Sequence, residues 1–324
     1  MEHRNLISDI SKEWGEYDTL IKTSIQSKSS LLTTINTYIL QNRGKQIRPM
    51  LGILSAKACG ESNSLTITCA VVTEMIHTAT LLHDDVADNA EMRRGSPTVQ
   101  TLYNPAASIL TGDFWLAKAL SLIVAKKDSH ILGYFTGTVE DLSEGELFQM
   151  QKAGSLDTTR EDYYSIIYRK TASLFVSAIK SCVYSTGANE DTLKMMEQYA
   201  WHLGMAFQIR DDIFDYMPDL NTGKIAGNDI RENKITLPLI AAMEIAGNQE
   251  KERVLSLLKE KHKDSVHLQD SIFSFVNNYS GIALAQAALI EHCKRAEESI
   301  DSLLDSSHKK DLVQLARYVG NRFI

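Results

Sequence analysis

Residues 65–90, LTITCAVVTEMIHTATLLHDDVADNA, decide the fold. Apolar and small side chains recur at spacings of three and four and cover one broad face of this stretch, namely Ile67, Ala70, Val71, Met75, Thr78, Ala79 and Leu82. That period is typical of an α-helix. A helix that is apolar on more than one face is usually buried at the centre of a bundle. The stretch therefore predicts a long buried helix that ends in an acidic cluster.

Similar patterns predict more long helices along the rest of the chain. They cover residues 106–125, 130–150, 162–186, 190–216 and 282–304, and the charged residues 251–265 predict a solvated helix face. Each of the five prolines lies near a point where a helical pattern starts, stops or turns. No alternating strand of useful length is found. The sequence predicts an all-α fold, a single domain over residues 1–324 with ten or more helices.

Charge and composition exclude several function classes. The formal net charge is −7, whereas a nucleic-acid binder usually carries a basic surplus. The four cysteines form no CxxC pair, which favours reduced thiols in a cytoplasmic protein over disulfides or a zinc site. The N-terminal sequence MEHRNLISDISKEW is charged and does not resemble a signal peptide. No run of apolar residues approaches the length of a membrane span.

Two acidic clusters share one spacing, DDxxD. The first lies in LLHDDVADNAEMRRG and the second in FQIRDDIFDY, and together they supply Asp84, Asp85, Asp88, Asp211, Asp212 and Asp215. Residues four apart on a helix lie on one face, where like charges repel. Two such conflicts beside apolar helices call for a cation. Mg²⁺ fits, because it takes oxygen ligands from one or two carboxylates together with substrate phosphates.

Cationic side chains accompany both clusters. They are Arg43, Lys45, Arg48, Arg93, Arg94, Lys170, Lys224 and Lys234, and arginine and lysine are the usual partners of phosphate oxygens. Taken alone, each of these cationic residues is more typical of a solvated protein surface than of a binding site. The nucleotide-binding patterns GxxxxGK[ST] and GxGxxG are absent. His77, two turns before Asp84, is either a core histidine or part of the site.

The chain resembles the trans-prenyl diphosphate synthases, or polyprenyl synthetases, from about Arg43 to Pro238. The resemblance rests on five segments in order: GKQIRP, LLHDDVADNAEMRRG, SEGELFQ, KTASLF and FQIRDDIFDYMPDLNTGKIAGNDIRENKITLP. It implies an all-α bundle around a deep central cavity, the isoprenoid synthase fold, and a cytoplasmic homodimer. It also implies that an allylic diphosphate ionises with the help of two or three Mg²⁺ ions and is attacked by isopentenyl diphosphate.

The resemblance carries roles over by position. Asp84, Asp85, Asp88, Asp211, Asp212 and Asp215 are expected to bind the metal ions. Arg93, Lys170 and Lys234 are expected to contact the allylic diphosphate, and Lys45, Arg48, His77 and Arg94 to hold isopentenyl diphosphate. Thr171 and Gln208 match positions near the reacting carbons, and Lys224 matches a phosphate-facing position. The C-terminal residue Arg322 is left without a role, because the basic tail of some members is not matched here.

The helix before the first cluster is expected to set the length of the product. Ala79 and Thr80, five and four residues before Asp84, are small, whereas short-chain members commonly carry aromatic residues there. Small residues leave the expected product cavity open toward Ile76. They therefore predict a long product, heptaprenyl to nonaprenyl diphosphate, of the kind used for quinone side chains. Ordinary helix packing explains the same residues. A short-chain synthase, a class I terpene cyclase and a non-catalytic synthase subunit are the alternatives, and product release at a membrane surface is left open.

Overall fold

The structure is a computed structural model that describes residues 7–217, 227–259 and 266–321. Helices dominate these residues, and the one sheet among them is a two-residue antiparallel ladder. In chain order the elements are α1 (Ser11–Ser24), α2 (Ser30–Gln41), α3 (Ile47–Cys59), α4 (Ser64–Ala87), β1 (Met92–Arg93), β2 (Ser96–Pro97), α5 (Val99–Leu102), α6 (Pro105–Val124), α7 (Ser129–Ser155), α8 (Arg160–Ile167), a π-helical turn (Tyr168–Ala172), α9 (Ser173–Tyr184), α10 (Glu190–Asp215), α11 (Asn228–Arg231), α12 (Leu237–Ile245), α13 (Asn248–Leu258), α14 (Val266–Asn278), α15 (Gly281–Ser299) and α16 (Ser307–Asn321). The predicted all-α fold with ten or more helices is confirmed.

Helix α4 starts at a capping box. The Asn63 side chain accepts the backbone N–H groups of Leu65 and Thr66, and the Thr66 hydroxyl accepts the N–H of Asn63. This arrangement satisfies donors that have no partner within the helix. From Thr66 to Ile76 every residue of α4 is buried. The helix is therefore a core element that presents its acidic C-terminal end at Asp84–Asp88.

Two helices are long and apolar enough to cross a membrane by length and composition alone. In α4, 72% of the most apolar 18-residue window is buried inside the protein, so its apolar character is explained by the core. In α6 only 33% of the corresponding window is buried. The absence of a membrane span stays a prediction.

The chain separates into two compact units. The first unit consists of Met1–Glu140, Leu174–Ala200 and Ser299–Leu315, and the second of Asp141–Ser173, Trp201–Glu298 and Ala316–Ile324. That residues 1–324 act as a single domain stays a prediction.

The core of the first unit is built around α4. Helices α1, α3 and α6 pack against it. The buried Trp115 of α6 donates its indole N–H to Asn36 of α2 at 2.9 Å, and Ser108 donates to the backbone oxygen of Leu82 at 2.8 Å. The Trp115 bond joins α6 to α2, and the Ser108 bond joins α6 to α4 near its acidic end. A Cβ on Gly112 would lie 2.4 Å from His83 Nε2, so glycine permits the close contact between α4 and α6.

Glycines also permit two close contacts in the second unit. A Cβ on Gly145 of α7 would lie 2.7 Å from the Cβ of Arg169, at the π-helical turn. A Cβ on Gly281 of α15 would lie 2.1 Å from the backbone oxygen of Pro238 in α12. Backbone atoms cannot move aside as a flexible side chain can, so Gly281 fixes how α15 meets α12.

The helical segment 162–186 differs from its prediction. The sequence predicts one helix, but the structure divides it into α8, the π-helical turn and α9. A π turn inserts extra backbone into an α-helix and often occurs at functional sites. Here it carries Lys170 and Thr171, both assigned to substrate by the resemblance.

We expect Gly281→Ala to destabilise the protein. The added methyl group meets a backbone oxygen, and overpacking of this kind costs about 1–3 kcal/mol of the free energy of unfolding. Urea unfolding followed by circular dichroism measures this change. Gly137→Ala in α7 is the matched control, because nothing lies within 4 Å of the added Cβ, and replacing a helical glycine there should stabilise by about 0.4–1 kcal/mol. Equal stability of the two variants would contradict the proposed contact.

Candidate active site

The first acidic cluster divides into a buried carboxylate and two more accessible ones. Asp85 is 4% exposed, and its Oδ1 accepts a hydrogen bond from Arg93 Nε at 2.6 Å. Burial raises the pKa of Asp85, although Arg93 opposes the shift. Asp84 is half-buried and Asp88 is exposed, and the Asp88 N–H donates to the Asp84 backbone oxygen at 2.8 Å. The predicted one-turn spacing is confirmed, and Asp85 serves to position Arg93.

A tight hairpin carries the two arginines that follow the cluster. Arg93 pairs with Ser96, which leaves Arg94 and Gly95 as a two-residue loop with φ of 54° and 77°. Two successive positive φ values define a type I′ turn. The Arg94 guanidinium reaches Gly44 of the GKQIRP segment, where a Cβ would lie 2.2 Å from Nη1. Glycine at position 44 thus makes room for Arg94.

Arg48 and His77 contact each other in the first unit. Arg48 Nη1 lies 3.2 Å from His77 Nε2, and its guanidinium carbon lies 4.7 Å from the centroid of the Phe175 ring. Burial, reinforced by Arg48 and Arg94, lowers the pKa of His77 well below its usual value. Since arginine only donates hydrogen bonds, neutral His77 accepts at Nε2 and carries its proton on Nδ1. The role of His77 in the site stays a prediction.

A cavity of about 700 Å³ opens beside these groups in the first unit. Its charged lining residues are Arg43, Glu74, Asp85, Arg93 and Arg94, and its apolar lining includes Leu82 and Trp115. Arg48 and His77 are not among its lining residues. Sequence reasoning missed Glu74, whose signal was a lone acid within an apolar helical run.

In the second acidic cluster, Asp212 is the centre of a hydrogen-bond network. Asp212 is 5% exposed and accepts hydrogen bonds from the Tyr163 hydroxyl at 2.6 Å and from Gln208 Nε2 at 2.7 Å. Gln208 Oε1 in turn accepts from the Thr171 hydroxyl at 2.7 Å. Burial raises the pKa of Asp212 to about 7. The network joins α10 to the π-helical turn and orients Thr171 and Gln208.

The other two aspartates of this cluster have different surroundings. Asp215 accepts the backbone N–H groups of Asn228 at 3.1 Å and Asp229 at 2.9 Å, and so caps α11. Asp211 has a side chain that is 28% exposed and lies 3.1 Å from Arg210 Nη2. Asp215 therefore also caps α11, and both Asp211 and Asp215 are half-buried, whereas Asp212 is buried.

A second cavity, of about 720 Å³, lies within the second unit. Lys170, Thr171, Gln208, Asp212, Asp229 and Lys234 line it. Lys170 Nζ contacts Glu146 Oε2 at 2.5 Å and Gln149 Oε1 at 2.7 Å, both from the SEGELFQ segment. Lys234 pairs with Glu232. Five residues that the sequence assigned to the site thus line one cavity.

Two acids near this second cavity escaped sequence reasoning. Asp229 is half-buried, and burial of its carboxyl group together with Asp215 and Asp212 raises its pKa well above its usual value. Glu146 holds Lys170 through an ion pair. Both lie inside segments that carry the resemblance, but nothing in their spacing marks them, because their partners are distant in sequence.

Among the residues that the structure describes, the remaining predicted ones do not line either cavity described above. Ile76 and Ala79 are fully buried, and the half-buried Thr80 donates its hydroxyl to the His77 backbone oxygen at 2.9 Å. Lys45 is exposed in the segment before α3. Lys224 and Arg322 lie outside the described residues.

Within the described ranges, no three His, Cys, Asp or Glu side chains are arranged to hold a metal ion by themselves. This arrangement still fits Mg²⁺, which usually takes one or two carboxylates and completes its shell with water and substrate phosphates. Each DDxxD motif supplies carboxylate oxygens suited to that role, although Asp85, Asp211, Asp212 and Asp215 also accept hydrogen bonds from neighbouring residues. The donor set is all oxygen, as a hard divalent cation requires.

The site residues lie in a region that matches a known family model. The polyprenyl synthetase model matches residues 29–275. The chain is 34% identical to an all-trans-nonaprenyl-diphosphate synthase (geranyl-diphosphate specific) of Rhodobacter capsulatus, over 98% of each chain. It is 32% identical to a short chain isoprenyl diphosphate synthase of Methanothermobacter thermautotrophicus, also over 98% of each chain.

A solved structure is similar over the whole length. The crystal structure of a polyprenyl synthase of Caulobacter crescentus, complexed with calcium and isoprenyl diphosphate, has a TM-score of 0.90 and 27% identity, and the match covers 99% of this chain and 98% of that one. The complex indicates that the family uses a divalent metal. Together with the family match and the full-length relatives, the likeness shows that the chain belongs to the polyprenyl synthetase family and is a trans-prenyltransferase, a prenyl diphosphate synthase.

Proposed function

We propose that this enzyme condenses isopentenyl diphosphate with an allylic diphosphate in a Mg²⁺-dependent reaction and gives a long all-trans product, heptaprenyl to nonaprenyl. The observation that carries the reaction is the cavity lined by Lys170, Thr171, Gln208, Asp212 and Lys234. It combines cations for a diphosphate with an acid of raised pKa and with apolar neighbours. The long product is supported by the small residues Ala79 and Thr80 and by the nonaprenyl relative.

The allylic diphosphate must leave as an anion, so fixed positive charge is needed where that charge develops. Arg93, Lys170 and Lys234 supply it in this proposal. Asp85 holds Arg93, and Glu146 with Gln149 holds Lys170, so the cations are oriented before substrate arrives. Bound Mg²⁺, held by carboxylates of the two DDxxD motifs with substrate oxygens, would neutralise the diphosphate and favour its departure.

Isopentenyl diphosphate is assigned to Lys45, Arg48, His77 and Arg94. His77 is neutral and accepts from Arg48, which leaves its Nδ1–H as a donor. Arg94 is placed by the hairpin and by the space at Gly44. Thr171 and Gln208 are held by their shared hydrogen bond and are proposed to lie near the reacting carbons. An apolar surrounding excludes water from the carbocation, which would otherwise be captured as an alcohol.

Assembly and location complete the proposal. A homodimer is supported by the apolar face of α6, where Ile109, Leu110 and Val124 are 41%, 66% and 59% exposed, since such faces usually bind a partner. Light scattering of the purified chain measures its mass, and a monomer at micromolar concentration would contradict the dimer. A cytoplasmic location is proposed from the four cysteines, none of which forms a disulfide.

The experiment that tests the proposed function uses the purified chain alone with Mg²⁺, an allylic diphosphate and labelled isopentenyl diphosphate. We expect label to appear in polyprenyl diphosphates of seven to nine isoprene units. Products of three or four units would support the proposed reaction but refute the long-chain assignment. A short product is the principal alternative because one relative is a short chain synthase. A released hydrocarbon would indicate a cyclase. No product in the presence of Mg²⁺ would indicate a subunit that needs a partner.

A further inference from the structure

Glu74 is a buried acid for which the proposed mechanism has no use. It lies on α4, three residues before His77, and is 7% exposed. Its side chain lines the cavity of the first unit together with Arg43 and Arg94. Arg48, Arg94 and Arg43 all act on it electrostatically. An acid in such a position either completes a structural ion pair or takes part in the binding of a ligand by these arginines.

The ion pairs around Glu74 favour the second possibility. Arg43 pairs with Asp18 at 2.8 Å, and Arg93 pairs with Asp85 at 2.6 Å. Each of these arginines thus has a carboxylate of its own. Glu74 acts on Arg48 and Arg94, two residues assigned to isopentenyl diphosphate, and Asp85 also acts on Arg94. A diphosphate bound there would bring negative charge to the same two cations.

The other ionisable groups around Glu74 do not change their protonation state near neutral pH. Burial raises the pKa of Tyr17 on α1 well above its usual value, and Glu74 adds to the shift, so the phenol stays neutral. His77 on α4 stays neutral because burial and the arginines lower its pKa. The pKa of the Arg94 guanidinium is lowered by burial, but arginine stays charged.

The charged or ionisable side chains in the region of Glu74 come from several elements. They are Tyr17 and Asp18 from α1, Tyr38 from α2, Arg43 and Lys45 from the segment before α3, Arg48 from α3, His77 and Asp85 from α4, and Arg93 and Arg94 from the hairpin. Helix α6 adds Asp113, which faces His83. Among these groups Glu74 stands out, because burial raises its pKa to about 7. Small added charges therefore change its protonation.

We propose that Glu74 is a proton-coupled counter-ion of the diphosphate site. In the free enzyme its carboxylate balances Arg48 and Arg94, and when a diphosphate binds these arginines the carboxylate takes up one proton from solvent and becomes a neutral acid. The inference rests on the proposed isopentenyl diphosphate site. Glu74 is a positioning residue here, since it acts through the arginines and does not touch the reacting carbons.

The sign of the pH dependence follows from linkage. A bound diphosphate disfavours the carboxylate and raises the pKa of Glu74 above its value of about 7 in the free enzyme. Below pH 7 the acid is already protonated and binding needs no proton. Above pH 7 each binding event takes up a proton, so affinity falls by up to about tenfold per pH unit until the pKa of the complex is reached.

Calorimetry of the whole protein with isopentenyl diphosphate, without metal, tests the proposal. Titrations at pH 8 in two buffers of different ionisation enthalpy give the number of protons taken up. We expect close to one for the unchanged protein and close to zero for Glu74→Gln, which keeps the size and polarity of the side chain without its charge. The variant should bind about tenfold more tightly than the unchanged protein at pH 8 and equally at pH 6.

Glu13→Gln is the matched control. Burial alone would raise the pKa of Glu13, but its bonds to Lys57 and Ser62 lower it, so this acid is ionised throughout; its variant should keep the proton uptake. Equal uptake by the unchanged protein and Glu74→Gln would overturn the counter-ion proposal while leaving the substrate site intact. No binding by the unchanged protein would overturn the substrate site as well. Should Glu74→Gln not fold, absence of proton uptake at pH 8 in the unchanged protein overturns the proposal by itself.

Discussion

Asp84→Ala is expected to lower turnover by roughly 100- to 1,000-fold while leaving the fold intact. Asp84 is one of the accessible carboxylates proposed to bind Mg²⁺, and it lies one helical turn from Asp88. Loss of the ligand removes stabilisation of the leaving diphosphate. Folding should not suffer, because two like charges one turn apart repel by about 0.2–0.5 kcal/mol. Turnover at saturating Mg²⁺ and the midpoint of thermal unfolding measure the two effects.

Asp113→Ala is the control for this experiment. Asp113 is a nearby carboxylate whose side chain is 60% exposed and pairs with His83 at 3.2 Å, and exposed pairs of this kind contribute about 0–1 kcal/mol. Its removal should leave turnover near normal. A folded Asp84→Ala protein with near-normal turnover would exclude the metal-binding role of Asp84.

Ala79→Tyr is expected to shorten the product from seven or more isoprene units to three or four. Ala79 lies five residues before Asp84 and is 1% exposed, and one helical turn rises about 5.4 Å, close to one extended isoprene unit. A tyrosine ring at this position would close the space available to the growing chain. Chromatography of labelled products from the folded variant measures their length.

Ala79→Ser provides the comparison. Serine adds one oxygen atom at the same position and no ring, so it should leave product length unchanged. Ala79→Tyr also enters a packed region, where overpacking costs about 1–3 kcal/mol, and a lower unfolding temperature is expected. A folded Ala79→Tyr enzyme with the original product distribution would show that residue 79 does not limit the chain.

The sequence predicted α4 well because its signals are local. The predicted stretch 65–90 compares with Ser64–Ala87 in the structure. Asn63 and Thr66 mark its start, and the acidic residues mark its end. The spacing of Asp84 and Asp88 likewise depends on helical geometry alone. Such features can be predicted without knowing which residues pack against the helix.

Features that depend on distant partners escaped prediction. The spacing of residues 162–186 does not reveal the π-helical turn at Lys170, because apolar periodicity tolerates a local insertion. Nothing in the sequence shows that Asp85 pairs with Arg93 or that Asp212 accepts from Tyr163. The hairpin at Arg94 did carry a signal, since Gly95 readily adopts positive φ, but two-residue strands are too short to give a pattern.

The most direct test of the account concerns the two DDxxD motifs. If both motifs stabilise the departure of the same diphosphate, Asp84→Ala and Asp211→Ala should each cause a large loss of turnover. The double variant should then turn over only slightly more slowly than the slower of the two single variants, because the effects of residues that act as a unit are not additive. Turnover of the four proteins at saturating substrate and Mg²⁺ gives the comparison. Losses that multiply in the double variant would contradict the claim that the motifs serve one chemical step.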